Sequence, residues 1–463
     1  MENCVKDYLC KLGYSVNENA FSVIKECDDW YANRLIREFH HRKTVQGIEY
    51  DLDRLNFAKR CCSDDANLCE VIEINAGKGE QGTAVREILE HNRFDTQYRR
   101  QLERVPANGT VACYIRLDNA IIYDDGHTEG GEIKLNYVDA MGFMPLTIEN
   151  GDITEAACSG STIVNGKKQT TLVVFQKKEG LYSAETHLFD EHGKELDDRV
   201  VKLTLGDVKP FAVMRNAEVN NLDGMDGYGL PKLRAAIPVL KALDLAFNVL
   251  FRDLSKADKL ILINELLCQF DGTGKAITPN EQAKQLFVLL GERLPQQKEV
   301  IQEYNPSIRI EELTKTIELL LSLLSMMFGY GTKKYSFENG NITTATEFVL
   351  SRQDAMQELN RQRHEATEYI QGICKAVMWF SNTFHGTSYN VDEEVMVDFD
   401  DSLITDKEAE LERKRTDAVT FEIKELLKWY LQDAYNVTPE EAEAMIVQKE
   451  SEEEQDDDAE EQD

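Results

Sequence analysis

Ile310-Glu-Glu-Leu-Thr-Lys-Thr-Ile-Glu-Leu-Leu-Leu-Ser-Leu-Leu-Ser-Met-Met327 runs directly into Phe328-Gly-Tyr-Gly-Thr-Lys-Lys-Tyr-Ser-Phe-Glu-Asn-Gly-Asn-Ile342, and then into Thr343-Thr-Ala-Thr-Glu347. The first block is a helix with two apolar stripes, Ile310, Leu313, Ile317, Leu320 and Leu324 on one side and Leu319, Leu323 and Met326 on the other. A helix apolar on two sides is buried on two sides, within a domain or between subunits. The glycine-rich block ends it. Thr344-x-x-Glu347 is a capping box, in which hydroxyl and carboxylate each satisfy a free backbone N–H. The helix it starts reaches about Phe384 without a proline, some 60 Å at ~1.5 Å per residue. Its seam is Ala345, Val349, Arg352, Met356, Leu359, Arg363, Ala366, Ile370, Ile373, Val377 and Phe380, with two arginines interrupting it. Helices this long are uncommon in compact monomers, so the length points toward assembly.

Moving outward, Asn220-Asn-Leu-Asp-Gly-Met-Asp-Gly-Tyr-Gly229 is a loop, and the helix after it runs to about Ser255. Ala236, Leu240, Leu243, Phe247, Leu250 and Leu254 alternate four and three apart, which holds one seam against a partner. Pro231 and Pro238 both lie near its start, so regular helix is expected from Pro238. Residues 259–308 hold short apolar runs, Leu260–Ile263 and Leu286–Leu290, broken by Gly and Pro, and read as a small mixed subdomain. Residues 18–105 read mostly helical, with helices over Ala20–Phe39 and Leu52–Leu68. Residues 107–215 are β-rich, with turn dipeptides at Asp125-Gly126, Asn150-Gly151, Asn165-Gly166 and His192-Gly193. Short turns make hairpins, hence an antiparallel sheet region. After a strand at Val395–Phe399, Thr405-x-x-Glu408 caps a helix to about Tyr430, and Thr438-Pro439 starts a short last one. The class is α+β, mainly helical.

The 463 residues carry 52 basic and 84 acidic side chains, a net charge of −32. Glu450–Asp463 holds ten acids and no base, so it is expected to be disordered, and the remaining −22 belongs to the folded part. Such a chain does not grip duplex DNA, whose binding proteins neutralise phosphates with a basic excess. No 18-residue apolar run exists. There is no C-x-x-C and no H-E-x-x-H, so the cysteines are expected as reduced, packed thiols. His187 and His192 are expected at the surface. Gly77, Gly79 and Gly82 match G-x-G-x-x-G and resemble the glycine loop of S-adenosylmethionine-dependent methyltransferases, the alternative reading. That fold needs a second strand ending in an acid, whereas residues 91–104 read as a basic helix. Asp398, Asp400 and Asp401 read as an acidic turn. Nothing assembles a catalytic set, so no enzyme, cofactor or metal is expected.

Several blocks, in order, resemble the portal proteins of tailed bacteriophages, in the group common in phages of Gram-positive hosts. They are Leu55–Lys59 to Ala66–Leu68, Ala107–Ala112, Asn220–Gly229 with Leu240–Asp244, Tyr304–Glu312, Ser325–Gly329, Tyr335–Phe337, Thr343–Glu347, and Val397–Ser402 with Asp406. Thr344-Ala-Thr-Glu347 is the most specific, and the resemblance spans roughly residues 20–450. Pro238 and the adjacent Lys333 and Lys334 depart from the pattern. The resemblance implies a homo-oligomeric ring, usually a dodecamer, at one capsid vertex of the virion, assembled in the host cytoplasm. Double-stranded DNA would pass through it. Its partners would be the large terminase, the head–tail adaptor, and the major capsid and scaffolding proteins, with no membrane. It further implies a wing at 1–229, a first stem helix at 230–258, a clip at 259–308 and a second stem helix at 309–327. A tunnel loop at 328–343, the long wing helix and return strand at 344–400, a crown at 401–449 and the acidic tail at 450–463 complete it. The DNA-facing loop residues would be Lys333, Lys334, Tyr335, Phe337, Asn339 and Asn341, with Thr344 and Glu347 capping the helix beyond.

Overall fold

The computed structural model describes residues 3–44, 47–77, 79–122, 128–196, 201–255, 260–264, 287–290, 301–304, 309–332, 334–335, 345–400, 414–418, 420, 424–435, 438 and 442–446. It divides into two compact units, Met1–Val397 and Asp398–Asp463. The fold is α+β.

In the first unit, helices Glu18–Tyr31, Phe57–Ala66 and Phe94–Asn108 form an N-terminal layer. They pack on helix Lys232–Ser255. The expected single helix over Ala20–Phe39 is interrupted, because Asn33 turns left-handed (φ 52°) and only Arg37–His40 resumes a turn. The helix expected from Leu52 begins at Phe57. Asn56 is itself left-handed, and the chain before it is held extended: Asp244 Oδ1 accepts from Leu55 N–H at 2.9 Å and Asn248 Oδ1 from Asp53 N–H at 2.9 Å.

The β region is antiparallel, as its turns require. A three-stranded sheet places Thr110–Asp118 between Phe211–Arg215 and Glu132–Asp139. A five-stranded meander runs Val201–Thr204, Leu181–Phe189, Lys167–Lys178, Asp152–Val164, Phe143–Glu149. Asn150-Gly151 and Asn165-Gly166 close two hairpins with positive φ at both residues, the backbone that matches strand twist. His187 corrects the surface expectation. It sits in a strand at 3% exposure, its Nδ1 2.6 Å from Glu195 and its Nε2 2.9 Å from the Tyr8 hydroxyl. These partners tie the N-terminal helix Asn3–Lys11 to the sheet.

Helices Lys232–Ser255 and Ile310–Met327 lie against each other. Leu233, Ala236, Ile237, Leu240 and Leu243 meet Leu321, Leu324 and Phe328 in one core with Cys61, Cys62 and Ala107. The first of the two starts at Lys232 rather than at Pro238. The proline is tolerated because it and Arg234, whose carbonyl loses its partner, both lie on the exposed face. In the chain between the helices, Leu260–Asn264 runs parallel to Phe287–Leu290 and antiparallel to Ile301–Tyr304, so strands form at both apolar runs, Leu260–Ile263 and Leu286–Leu290. Arg309 Nε and Nη2 hold Asp253 Oδ2 at 3.0 and 2.7 Å where the two helix ends meet.

Helix Ala345–His385 packs on strand Phe211–Arg215. From Leu359 on it is a core element: Tyr369, Ile370, Ile373, Cys374, Val377 and Met378 are at most 1% exposed. Arg363, one interruption of its seam, donates to the Leu68 carbonyl at 3.4 Å. The side chain of Arg352 lies outside the described residues. The second unit contains helix Lys424–Tyr435, with Lys428 Nζ 2.6 Å from Glu443. Thr405, Glu408, Asp125-Gly126 and the acidic run 450–463 lie outside the described residues. Among those described, seven of nine cysteines are buried, no group of three or more His, Cys, Asp or Glu could hold a metal, and no helix is long and apolar enough to cross a membrane.

The lead-in to helix Lys232–Ser255 crosses the junction before Thr110 at backbone contact. A Cβ on Gly109 (φ +80°) would stand 2.2 Å from the Gly229 oxygen. Gly109→Ala is therefore expected to cost at least about 1–3 kcal/mol, read as a fall in thermal midpoint; an unchanged midpoint would refute this tight crossing.

Candidate functional site

The sequence after Met327 stops the helix by a specific device. Phe328 closes it and Gly329 takes the left-handed conformation (φ +78°). Gly329 N–H then donates to Met326 O and Tyr330 N–H to Ser325 O, both at 3.1 Å. This Schellman pattern satisfies carbonyls that the helix end leaves open and turns the next side chain back toward the core. Tyr330 is consequently 6% exposed.

Its hydroxyl donates to Asp65 Oδ1 at 2.8 Å. The same oxygen accepts from Lys232 Nζ at 2.9 Å, and that ammonium is also 2.9 Å from Glu358 Oε1. Lys232, Asp65 and Glu358 are 2%, 6% and 7% exposed. Four segments thus meet at one buried cation: helix Phe57–Ala66, the start of helix Lys232–Ser255, the turn after Met327, and the long helix. Burial alone would discharge Lys232; the Asp65 and Glu358 carboxylates outweigh it and hold the ammonium above its ordinary range. Burial, then Asp65, pushes the Tyr330 phenol well up, so it stays a donor. Glu218, beside this group, is raised by burial.

Lys334 follows on the surface. Its backbone N–H donates to the buried Ser325 hydroxyl at 3.2 Å, and its ammonium lies 5.3 Å over the Tyr330 ring. Tyr335, half-buried, puts its phenol beside Cys61 and Asp64, and burial foremost raises that phenol too. Tyr330 and Tyr335 meet edge to face with centroids 6.5 Å apart. Lys333, Phe337, Asn339, Asn341 and Thr344 lie outside the described residues, as does the side chain of Glu347, whose backbone is in the long helix. The structure therefore brings Lys334 and Tyr335 to one place, at the root of the loop.

The glycine motif makes a strand, Val71–Asn75, a turn, and a helix, Glu80–His91. The next element is helix Phe94–Asn108, not a second strand, so the dinucleotide-type unit is not formed. Position 82, within the helix, is a glycine because a Cβ there would stand 2.3 Å from the Gly77 oxygen. Gln81 bridges the turn to the Ala76 carbonyl and to the backbone of Asn390. This is a packing turn.

Sequence reasoning missed Lys232, Asp65, Glu358 and Tyr330. One signal was available: Lys232 lies four residues before Ala236, in register with the apolar seam. A lysine at a seam position needs a buried counter-charge.

The family model for phage portal protein, SPP1 Gp6-like, matches residues 22–457, and the chain belongs to this family of phage portal proteins. The family is structural, a component of the capsid vertex of tailed phages. No curated protein matches the chain.

Lys232→Met keeps the size of the side chain and leaves two carboxylates facing each other. It is expected to lower stability by about 3–5 kcal/mol in chemical denaturation. Adding Glu358→Gln should restore part of that loss; strictly additive losses would mean the three groups do not act together.

Proposed function

We propose that copies of this chain close into a ring at one capsid vertex, through which double-stranded DNA is packaged and ejected. The family match across almost the whole chain carries this reading. In it, 1–229 and 344–400 form the wing, 230–258 and 309–327 the stem helices, 259–308 the clip, 328–343 the tunnel loop and 401–449 the crown. The clip would dock the large terminase and then the head–tail adaptor, and the outer surfaces would meet capsid and scaffolding proteins.

The surface of the single chain supports assembly. Helix Lys232–Ser255 exposes Leu245, Phe251 and Leu254, and helix Ile310–Met327 exposes Ile310, Leu319 and Met326. Pro238, Leu245 and Arg252 recur every seven residues on one face, and Glu312, Leu319 and Met326 on the other. A ring is built from heterologous contacts, in which two different faces meet around the circle. The first face carries Arg234, Lys241 and Arg252; the second has Glu311, Glu312 and Glu318 against Lys315. Apolar stripes with opposite charge excess suit such a contact. The acidity suits a conduit, since each phosphate contact adds affinity and so resists sliding. Lys333 and Lys334 supply the movable contacts.

Electron microscopy and mass photometry of the purified chain test the ring. Leu319→Asp with Met326→Asp should leave the circular dichroism of the monomer intact and abolish rings; rings persisting in the double variant would exclude this face. Lys333→Glu with Lys334→Glu should reduce packaged or retained DNA by severalfold at normal ring yield. Wild-type packaging and retention in that variant would remove both lysines from the DNA path.

A further inference from the structure

The buried cluster around Lys232 reaches the surface on two sides. Its ammonium faces Asp65 and Glu358 within hydrogen-bonding distance, and the exposed Arg361 guanidinium stands 3.8 Å from the other Glu358 oxygen. Asp64, also 6% exposed, is matched by Arg60 at 3.1 Å. Tyr330 links this cluster to Lys334. A phenol that donates its proton toward a carboxylate has a more electron-rich ring. That ring face is where the Lys334 ammonium sits, at 5.3 Å. A cation within about 6 Å of such a face is attracted to it. Lys334 is fixed a second time through its backbone, by the Ser325 hydroxyl. Ser325 belongs to the same Schellman turn that orients Tyr330. Gly329 completes the fit: a Cβ there would stand 3.3 Å from Glu358 Cγ, so the turn is seated against the long helix.

We propose that Tyr330 is a positioning residue for the basic loop: it docks the Lys334 ammonium on its ring, Asp65 and Lys232 hold the ring in place, and a DNA phosphate must compete with that ring for the lysine. Lys334 is then a two-position contact, docked on the protein or paired with a passing phosphate. Its DNA-facing position rests on the conduit reading above; its docked position does not. The docked state makes the lysine's contact with DNA weak and returnable, because release from a phosphate is assisted by a waiting site. It also connects the loop to the long helix, since Tyr330, Lys232 and Glu358 are successive members of one network.

Reductive methylation with ¹³C keeps the lysine charge and gives each lysine an NMR signal. In the wild-type chain, the Lys334 signal, assigned by its loss in Lys334→Arg, should be displaced upfield by the Tyr330 ring current. Tyr330→Leu should return it to the position of an exposed lysine such as Lys167, and Tyr330→Phe should keep most of the displacement. In parallel, acylation of Lys334 should be about two- to fivefold faster in Tyr330→Leu than in the wild type, the range expected of an exposed cation–π contact. An undisplaced wild-type signal would overturn the docking whatever the variants do, so a Tyr330→Leu chain that fails to fold does not spoil the test. Short duplex DNA added to assembled rings should move the signal toward the undocked position. If the rings hold DNA and the displaced signal stays, the DNA contact of Lys334 fails while the positioning role of Tyr330 stands.

Discussion

A single ammonium placed where water cannot reach it organises this molecule. Lys232 sits at the first turn of a helix whose seam is otherwise apolar, and the cost of burying its charge obliges two other segments to bring carboxylates to it. Asp65 comes from a helix formed early in the chain and Glu358 from a helix formed late, so the site ties together residues separated by 167 and 126 positions. Apolar packing is tolerant of sliding; three charges and a phenol within hydrogen-bonding distance are not. The network thus fixes the register among helices that share an interchangeable inventory of leucine and alanine.

The surrounding electrostatics reinforce the arrangement. His40 sits at the same helix pair but farther along it, with Nδ1 accepting from Ile36 N–H at 3.0 Å and Nε2 3.3 Å from Asp244. The accepting Nδ1 places the proton on Nε2, where it can be given to the carboxylate. Asp244 in turn takes Leu55 N–H, and burial foremost raises its carboxyl above the usual range. Helix Lys232–Ser255 is therefore pinned to the N-terminal layer at two heights, once by a lysine and once by an aspartate. Between these pins lie Leu233 to Leu243 and the two adjacent cysteines, packed as small apolar groups.

Helix Ile310–Met327 is legible to the residue because both its stripes and its glycine stop are local signals. The apolar runs between the two helices are legible as short segments but not in their strand directions, and the hairpins are legible from their turn dipeptides. What the sequence conceals is set by distant partners. Pro238 looks like a helix start, yet the helix has already run from Lys232, and the proline itself lies on the exposed side. Asn56 hides a left-handed residue inside an apolar rhythm, because the hydrogen bonds that hold the chain before it come from Asp244 and Asn248. His187 looks superficial because its neighbours are polar, but Glu195 and Tyr8 are what bury it. The long helix is the most instructive. Its length suggests external partners, whereas the chain's own strand Phe211–Arg215 covers its second half, and Gly372 lets that strand approach through Ala212.

The Arg309–Asp253 pair has a further meaning. It brings the end of one helix to the start of the next, so everything between them leaves and returns at a single point. In topological terms the two helices are a hairpin, and the mixed sheet is an insertion at its tip. Closing a longer excursion over the same gap costs little, about 0.6 kcal/mol for each doubling of its length. The tip can accordingly change in size and sequence while the hairpin, and the buried lysine at its far end, remain as they are.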